Sequence, residues 1–198
     1  MTVVKICGVT RAEDAAVAVA AGADMIGVVF WAPSPRAANE EQARRVREVV
    51  PAGVPLVGVF VDEQAERIDE LVEVAGLDRV QLHGSEPLSL IERYGERVIR
   101  AVRDGDVSGV PAGVPVIYDR PWGEARDVES LYAHWRLART LVAGRRLLLA
   151  GRLDPDNVGQ AVREVRPYGI DCSSGVESAA GIKDHERVRR LVAAAKEA

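Results

Sequence analysis

The sequence Val3-Val4-Lys5-Ile6-Cys7-Gly8-Val9-Thr10 passes within a few positions from apolar residues to residues that end a strand and begin a helix. Val3 to Ile6 predict a short buried strand, which Cys7 and the following glycine end. Thr10 and Glu13 have the spacing of a capping box, a pattern typical of a helix N-terminus. The stretch therefore predicts one strand followed by one helix.

Lys5 and Cys7 are expected on one face of this strand, with Val4 and Ile6 on the other, because side chains alternate along a strand. A neighbouring ammonium group favours the thiolate, which is the reactive form of cysteine. Cys7 is therefore a candidate reactive group. The alternative, on these residues alone, is a free cysteine that packs as a small buried hydrophobe.

The same strand-then-helix unit recurs along the chain. Further strands are predicted at Asp24–Phe30, Pro55–Val61, Asp78–His83, Arg97–Arg103, Val114–Asp119, Arg146–Ala150 and Gly169–Cys172. Helices are predicted over Arg11–Ala21, from an Asn39 cap to Val50, from an Asp62 cap to Ala75, over Glu86–Tyr94, over Val128–Val142, from an Asp154-Pro155 cap, and from Asp184 to the C-terminus. An irregular polar stretch is expected between Arg120 and Asp127.

This alternation predicts an α/β fold, a compact single-domain (β/α)8 barrel over residues 1–198. Parallel strands need crossover connections, and apolar runs such as Met25–Phe30 fit strands that are covered on both faces. The link from Asp104 to Gly113 is rich in glycine, so the fifth helix should be short or absent. The competing fold, an open doubly wound sheet, would more usually carry a Gly-rich dinucleotide turn after its first strand, and Cys7–Thr10 is not that turn.

The composition is that of an ordinary globular protein. Of the 198 residues, 47% are hydrophobic and 28% are charged, which is enough apolar material for a sizeable core. The net charge of −4 disfavours a nucleic-acid partner but leaves room for a local cationic pocket. No apolar run approaches the ~20 residues that span a bilayer. Two distant cysteines and the lack of an N-terminal apolar signal region favour a cytoplasmic protein without membrane contact.

Reactive and polar side chains are predicted at the carboxyl ends of the strands, where barrels of this kind place their chemistry. The candidates are Cys7, Arg36, His83, Asp119, Gly151, Arg152, Asp171, Ser173, Ser174 and Gly175. Asp119 would face Cys7 across the barrel mouth. An acid and a base on opposite sides of a substrate can move protons in sequence.

Each of these side chains also has a plainer interpretation. Asp119 can equally be a helix cap or a surface carboxylate. Arg36, stiffened by the proline before it, suits bidentate capture of a carboxylate, although most arginines are simply solvated. His83 is first interpreted as a strand-end histidine whose hydrogen bonds are satisfied within the protein.

The turns after strands seven and eight predict a phosphate site, which this fold frequently places there. Ser173-Ser174-Gly175 offers hydroxyls and backbone N–H groups, and Gly151 lets a ligand approach the chain. Asp154-Pro155 is predicted to start a helix whose positive end can face an anion. The alternative is that these groups only hydrogen-bond within their own loops.

The motifs resemble those of the phosphoribosylanthranilate isomerase family of tryptophan biosynthesis. In family order, and spanning residues 3–184, the matching motifs are Lys5–Thr10, Phe30 through Ser34-Pro35-Arg36, Val57–Val61, Val80–Gly84, Leu149–Gly151 with Asp154–Val158, Asp171–Glu177, and Gly181–Asp184.

The resemblance implies a metal-free and cofactor-free Amadori rearrangement of N-(5-phosphoribosyl)anthranilate. By match to the family motifs, Asp119 is the general acid that protonates the furanose ring oxygen. Cys7 is the general base that takes the proton from sugar C2. The resemblance matches Arg36 to the residue that holds the anthranilate carboxylate, and it matches Gly151, Ser173 and Ser174 to the phosphate turns, with Asp171 lining the mouth beside them. His83 and Asp171 are also predicted to bind substrate, and Arg152 and Gly175 are predicted to bind phosphate.

The chain departs from the family pattern at two places. After strand six the family usually carries a Gly-Gly-Thr-Gly-like turn before Phe-Asp-Trp, whereas this chain has Val128–Trp135 and keeps only Trp135. The usual second glycine after strand seven is Arg152, whose side chain either obstructs the phosphate, swings out, or contacts it directly. These departures concern loop geometry and leave the acid and base types unchanged.

Two other functions are compatible with the sequence. A degenerate barrel that binds a phosphorylated ligand without turnover is favoured by the missing glycine turn. An isomerase acting on a related aminoaldose phosphate is the second. Intact Cys7 and Asp119 favour the isomerase that the resemblance implies. The expected partner is a small phosphorylated substrate, and the chain is expected to be a monomer or a homodimer.

Overall fold

The computed structural model describes residues 1–120 and 127–198. Within them, eight strands form one sheet: β1 Val3–Ile6, β2 Met25–Val29, β3 Leu56–Phe60, β4 Arg79–Leu82, β5 Val98–Val102, β6 Val116–Tyr118, β7 Leu147–Leu149 and β8 Gly169–Cys172. Seven α-helices connect or follow them: α1 Ala12–Ala20, α2 Glu40–Val49, α3 Ala65–Val74, α4 Leu88–Tyr94, α5 Val128–Leu141, α6 Val158–Val165 and α7 His185–Glu197.

The eight strands are parallel and close into a barrel in chain order. The pairing of β1 with β8 closes the ring and sets Lys5 opposite Asp171. The predicted (β/α)8 barrel is thus confirmed. Residues 103–115, all of them described, contain no helix, so the expectation for the fifth connection is also confirmed. The predicted polar stretch after Arg120 falls at residues 121–126, which lie outside the described residues.

A short hairpin that the sequence analysis did not predict follows β8. It pairs β9, Glu177–Ala179, with β10, Ile182–Lys183, in antiparallel fashion. The hairpin lies between the barrel mouth and α7. It brings Lys183, whose side chain is fully buried, back towards the end of β8.

Alternation along the strands divides the core into two parts. Outward-facing strand residues such as Val4 and Ile6 pack with the helices in the larger cluster. Inward-facing residues such as Met25, Val57 and Ile99 fill the barrel. Lys5 and Cys7 face inward as predicted, and the Lys5 side chain is completely buried.

The predicted Asn39 cap and the predicted start of the last helix at Asp184 are confirmed. Asn39 and Gln42 form a reciprocal capping box at α2. Asp184 accepts hydrogen bonds from the backbone N–H groups of Glu186 and Arg187 at the start of α7.

Three predicted caps are wrong. The Thr10 hydroxyl donates to the carbonyl of Gly181 instead of capping α1, which begins after Arg11. Asp62 adopts a left-handed conformation and accepts from the N–H of Ser85, while α3 begins after Gln64. In each case a contact from a distant part of the chain displaces the local capping bond.

The third error concerns the segment after β7. Helix α6 begins after Asn157 and not at Asp154-Pro155. Asp154 and Asn157 form a closed turn in which each side chain accepts from the other residue's backbone N–H. This turn shapes the loop next to the mouth. Among the helices of the described residues, none has both the length and the apolar character needed to span a bilayer.

Candidate active site

A cavity of about 780 Å³ opens at the carboxyl ends of the strands. All ten side chains or glycines predicted from the sequence line it: Cys7, Arg36, His83, Asp119, Gly151, Arg152, Asp171, Ser173, Ser174 and Gly175. A smaller cavity of about 160 Å³ lies among other residues, including Val3, Arg79 and Tyr168, and contains none of the ten. The structure therefore brings the predicted residues together in one place.

Cys7 follows β1 and is nearly buried in the floor of the cavity, with 7% of its surface exposed. The ammonium group of Lys5 lies one pleat below and donates to Oδ1 of Asp171 at 2.8 Å. Gly27 shows how close these groups are, because a methyl group there would lie 2.8 Å from Cys7 Sγ and 3.0 Å from Lys5 Nζ. A thiol and a buried cation thus share one small space.

The charges around Cys7 work in opposite directions. Burial raises the pKa of the Cys7 thiol, the Lys5 ammonium partly counters this, and the Asp171 carboxylate adds to the rise, so that the pKa ends above its ordinary value. For Lys5, burial alone would lower the pKa, but Asp171 and Cys7 outweigh it and leave the pKa raised. Lys5 is therefore a permanent cation that limits how costly the thiolate becomes.

Asp119 lies at the end of β6 and enters the same cavity. Its Oδ1 accepts from the backbone N–H of Arg120 at 2.8 Å, and its Oδ2 lies 3.5 Å from Nε2 of His83. Burial opposes ionisation of Asp119. The contact with His83, the Arg120 N–H and the nearby charge of Arg103 outweigh burial, so the pKa of Asp119 lies below its ordinary value.

His83 is held from its other side by Gln81. Gln81 lies on the inward face of β4 and His83 directly follows the strand, and Nε2 of Gln81 lies 3.2 Å from Nδ1 of His83. His83 is therefore part of a polar chain that runs from Gln81 to Asp119.

Arg36 projects into the cavity from the loop after β2 and forms a two-pronged ion pair with Glu177. Its Nε and Nη2 donate to the two carboxylate oxygens at 2.9 and 2.7 Å. Glu177 also accepts from Lys183, and burial is outweighed by these two cations, which lower the pKa of Glu177. The Arg36 guanidinium is a quarter exposed, so one edge is fixed by Glu177 while the group still faces the mouth.

Glycines in the turns after β7 and β8 allow close packing, of the first turn against the residue that follows Asp119 and of the second turn against the first. Gly151 has φ +86°, and a side chain there would collide with Arg120. A side chain at Gly175 would come 1.8 Å from the carbonyl oxygen of Leu153. Both positions therefore require glycine, and together they leave the Ser173–Gly175 turn at the cavity surface.

Arg152 occupies the position where the family usually has a second glycine. Its φ of +56° lies in the left-handed region that favours glycine, and its carbonyl accepts from Nδ2 of Asn157 at 2.8 Å. The turn thus keeps the backbone form suited to glycine while carrying an exposed guanidinium on the cavity rim. The other departure, Val128–Trp135, forms the first turns of α5 and not a glycine-rich turn.

Gln81, Glu177 and Lys183 belong to this site, but the sequence reasoning did not single them out. Each lies inside a motif that carried the family resemblance, which was the one signal that pointed to them. Glu177 meets Arg36 across 141 positions, so spacing gave no hint of that pair. Gln81 and His83 are two positions apart, a spacing that places both side chains on one face of a strand and that could have pointed to Gln81. Among residues 1–120 and 127–198, no three His, Cys, Asp or Glu side chains are arranged to hold a metal ion.

Comparison with protein families gives a match over residues 4–194 to the model described as N-(5'phosphoribosyl)anthranilate (PRA) isomerase. The chain is also similar to N-(5'-phosphoribosyl)anthranilate isomerase of Trichlorobacter lovleyi, with 42% identity over 207 aligned positions that cover all of both chains. The match therefore extends over the full barrel and includes every motif described above.

Solved structures agree with the sequence comparison. The structure of phosphoribosyl anthranilate isomerase from Thermotoga maritima is similar with a TM-score of 0.88 and 37% identity, covering all of both chains. A second isomerase structure, with a TM-score of 0.86, 37% identity and the same full coverage, was determined in complex with reduced 1-(o-carboxyphenylamino)-1-deoxyribulose 5-phosphate.

Proposed function

Because this chain belongs to the N-(5'-phosphoribosyl)anthranilate isomerase family, we propose that Cys7 and Asp119 perform the proton transfers of that reaction in the mouth of its barrel. The activity is the isomerisation of N-(5'-phosphoribosyl)anthranilate to the 1-deoxyribulose product, a step of tryptophan biosynthesis. The observation that carries the residue assignment is that a thiol, a carboxyl group, an arginine and two glycine-bearing turns line one cavity.

In the first step, Asp119 gives a proton to the furanose ring oxygen. The C1–O bond of the ring breaks, and the nitrogen lone pair forms a C1=N⁺ iminium. The carboxylate that remains is stabilised by the N–H of Arg120 and by the neighbouring His83. These donors make Asp119 a stronger acid than an isolated carboxyl group, which helps protonation of a weakly basic ether oxygen.

In the second step, the Cys7 thiolate removes the proton from C2. The electrons of the C–H bond form the C1=C2 double bond, and the iminium π electrons return to nitrogen, which gives the enolamine. Transfer of the C2 hydroxyl proton to C1 then yields the ketone. The positive iminium acidifies the C2–H bond, so a thiolate is a sufficient base. Lys5 lies beneath Cys7 and supports this charge.

The two pKa shifts imply an unusual charge state for the reactive enzyme. The pKa of Cys7 is raised and that of Asp119 is lowered, so at neutral pH most molecules hold a thiol and a carboxylate. The reaction needs the reverse, a thiolate with a carboxylic acid. Between the two pKa values, the fraction of Cys7 that is thiolate rises with pH while the fraction of Asp119 that is protonated falls by the same factor. Their product stays constant, so kcat/KM should be flat across the neutral range. Asp119 then sets the acidic limb, and Cys7 sets the alkaline limb.

Binding of the substrate is assigned to the groups around this pair. Arg36 would hold the anthranilate carboxylate, with its outer edge free to bind because Glu177 occupies the inner one. The phosphate would lie between the turns at Gly151–Arg152 and Ser173–Gly175, with the Arg152 guanidinium in direct contact. Asp171 would contact the substrate beside Cys7.

The ligand is thus a small phosphorylated molecule, and we place the enzyme in the cytoplasm as a monomer or a homodimer. Support for a reducing compartment comes from Cys7 and Cys172, which are both free thiols within the described part of the chain. Light scattering on the purified chain would distinguish the two assembly states.

Loss of the substrate's fluorescence during turnover tests the residue assignment. Cys7→Ala and Asp119→Asn should each lower kcat by about 10²–10⁴-fold while thermal unfolding stays near that of the parent chain. Cys172→Ala is the matched control, since the Cys172 thiol donates to the Leu153 carbonyl and has no role in the steps above. Full activity in Cys7→Ala would remove the base assignment. Binding without turnover in the parent chain would favour a barrel that only binds.

A further inference from the structure

The side chain of Gln81 is an unexplained polar group in the barrel. It is 1% exposed, it lines the mouth cavity, and its Nε2 lies 3.2 Å from Nδ1 of His83. Within the described residues, its Oε1 has no hydrogen-bond donor. Leaving a buried amide oxygen unpaired is costly, so such a group in a native protein calls for an explanation, such as a ligand that donates to it.

With its Nε2 beside Nδ1 of His83, Gln81 favours one tautomer of the His83 ring. An amide N–H that donates to Nδ1 requires a lone pair on that nitrogen, so the neutral ring has its proton on Nε2. Nε2 is the nitrogen that lies 3.5 Å from Oδ2 of Asp119. The N–H of the ring therefore points at the carboxyl group, in a contact that can shorten when the site closes on a ligand.

This orientation matters for an acid that must release its proton into the cavity. The Arg120 N–H uses one lone pair of Asp119, and the His83 Nε2–H, 3.5 Å from Oδ2, would use a second once that contact shortens. The acidic proton must then lie on a lone pair that no protein group occupies. In the opposite tautomer, a bare Nε2 would face Asp119 and accept that proton itself. The acid would then give its proton to His83 and not to the substrate.

We propose that Gln81 is a positioning residue of the acid: its amide N–H holds His83 in the Nε2–H tautomer, and its free Oε1 accepts a hydroxyl of the bound sugar. A hydroxyl on Oε1 fixes the amide in the orientation that directs N–H at Nδ1. Binding of the sugar and preparation of Asp119 are thereby linked through one side chain. The inference rests on the proposed role of Asp119 as the acid.

The tautomer is measured directly by ¹H–¹⁵N correlation NMR of the chain labelled at histidine nitrogen. The chain contains three histidines, and the spectrum of His83→Gln identifies the His83 signals by their loss. We expect a ring protonated at Nε2, and a single sharp form after addition of reduced 1-(o-carboxyphenylamino)-1-deoxyribulose 5-phosphate. A wild-type ring protonated at Nδ1 would overturn the inference without any variant.

Gln81→Glu supplies the matching perturbation. A carboxylate at this position can only accept, so it should draw the His83 proton to Nδ1. We expect kcat to fall by about 10²-fold or more. The NMR signals of His83 should change from those of a ring protonated at Nε2 to those of a ring protonated at Nδ1. Gln81→Met, which is apolar and of similar size, should give mixed tautomers and an intermediate kcat. Full kcat in both variants, or an unchanged tautomer in Gln81→Glu, would contradict the inference.

Failure of the proposed function remains distinguishable from failure of this inference. If Asp119→Asn kept full activity, the acid would be misassigned, yet the tautomer measurement on the wild-type chain would still report on Gln81. If Asp119→Asn is inactive and His83 is protonated at Nδ1, the acid stands and the role of Gln81 falls.

Discussion

Replacing Lys5 by methionine gives the sharpest test of the proton chemistry. Methionine keeps an unbranched apolar stem but removes the buried ammonium that lies beside Cys7 and donates to Asp171. The thiolate then loses its cationic neighbour, while the nearby Asp171 carboxylate remains. With the Lys5 charge gone and the Asp171 charge still present, ionisation of Cys7 becomes harder, so the pKa of Cys7 must rise further.

The size of the effect follows from the short distances. An opposite charge within about 4–6 Å moves a pKa by about 1–3 units, and each unit is about 1.4 kcal/mol. In the flat neutral range, kcat/KM is proportional to the thiolate fraction. We therefore expect kcat/KM to fall by about 10- to 1000-fold, with KM changed far less, and the alkaline limb to move upward by the same number of pH units.

The assay is the pH profile of kcat/KM for the parent chain and Lys5→Met, together with an ultraviolet titration of the thiolate. The ultraviolet titration curve of Cys7→Ala is subtracted, so that the remaining signal belongs to Cys7. The other cysteine, Cys172, interferes little because burial raises its pKa to about 12. The acidic limb, which Asp119 sets, should not move. This contrast between the two limbs separates a charge effect on Cys7 from a general loss of structure.

Stability needs its own control. Removing one partner of a buried ion pair costs about 3–5 kcal/mol, so Lys5→Met is compared with Lys5→Met/Asp171→Asn, which leaves no unpaired charge. In the double variant the thiolate titration should return part of the way to its original pH. A folded Lys5→Met chain with an unmoved alkaline limb and unmoved thiolate titration would refute the reasoning.

Two further substitutions test the binding groups. Arg36→Met should raise KM by about 10- to 100-fold with little change in kcat, because a two-pronged charged hydrogen bond contributes about 1.5–3 kcal/mol. Arg36→Lys should restore only part of the lost affinity. An unchanged KM in Arg36→Met would mean that Arg36 only holds Glu177. Arg152→Gly should raise both the KM for substrate and the inhibition constant of inorganic phosphate several-fold, without lowering the melting temperature, since glycine tolerates φ +56°. Arg163→Ala, on the exposed face of α6, is the control, and a lower KM in Arg152→Gly would mean that the guanidinium obstructs the phosphate.

The strand-and-helix order was predictable because it depends on local patterns. Apolar runs of strand length, separated by helical segments, identify all eight strands to within about three residues at each end. The positions of the ten site residues followed from the same order, since each lies at or after the carboxyl end of a strand. Local signals failed at Thr10 and Asp62, where bonds to other segments replaced the expected caps. At Asp154 a local turn with Asn157 takes the place of the first helical turn.

Sequence alone therefore determined the barrel and the types of side chain, a thiol, a carboxyl group and a guanidinium, that line its mouth. Closure of the chain decided which groups are partners: Lys5 meets Asp171 across 166 positions, and Arg36 meets Glu177 across 141. Burial and neighbouring charge, which exist only after closure, raise the pKa of Cys7 and lower that of Asp119. The physical reason is that residue type is a property of the chain, whereas a charge state depends on what surrounds the group in space.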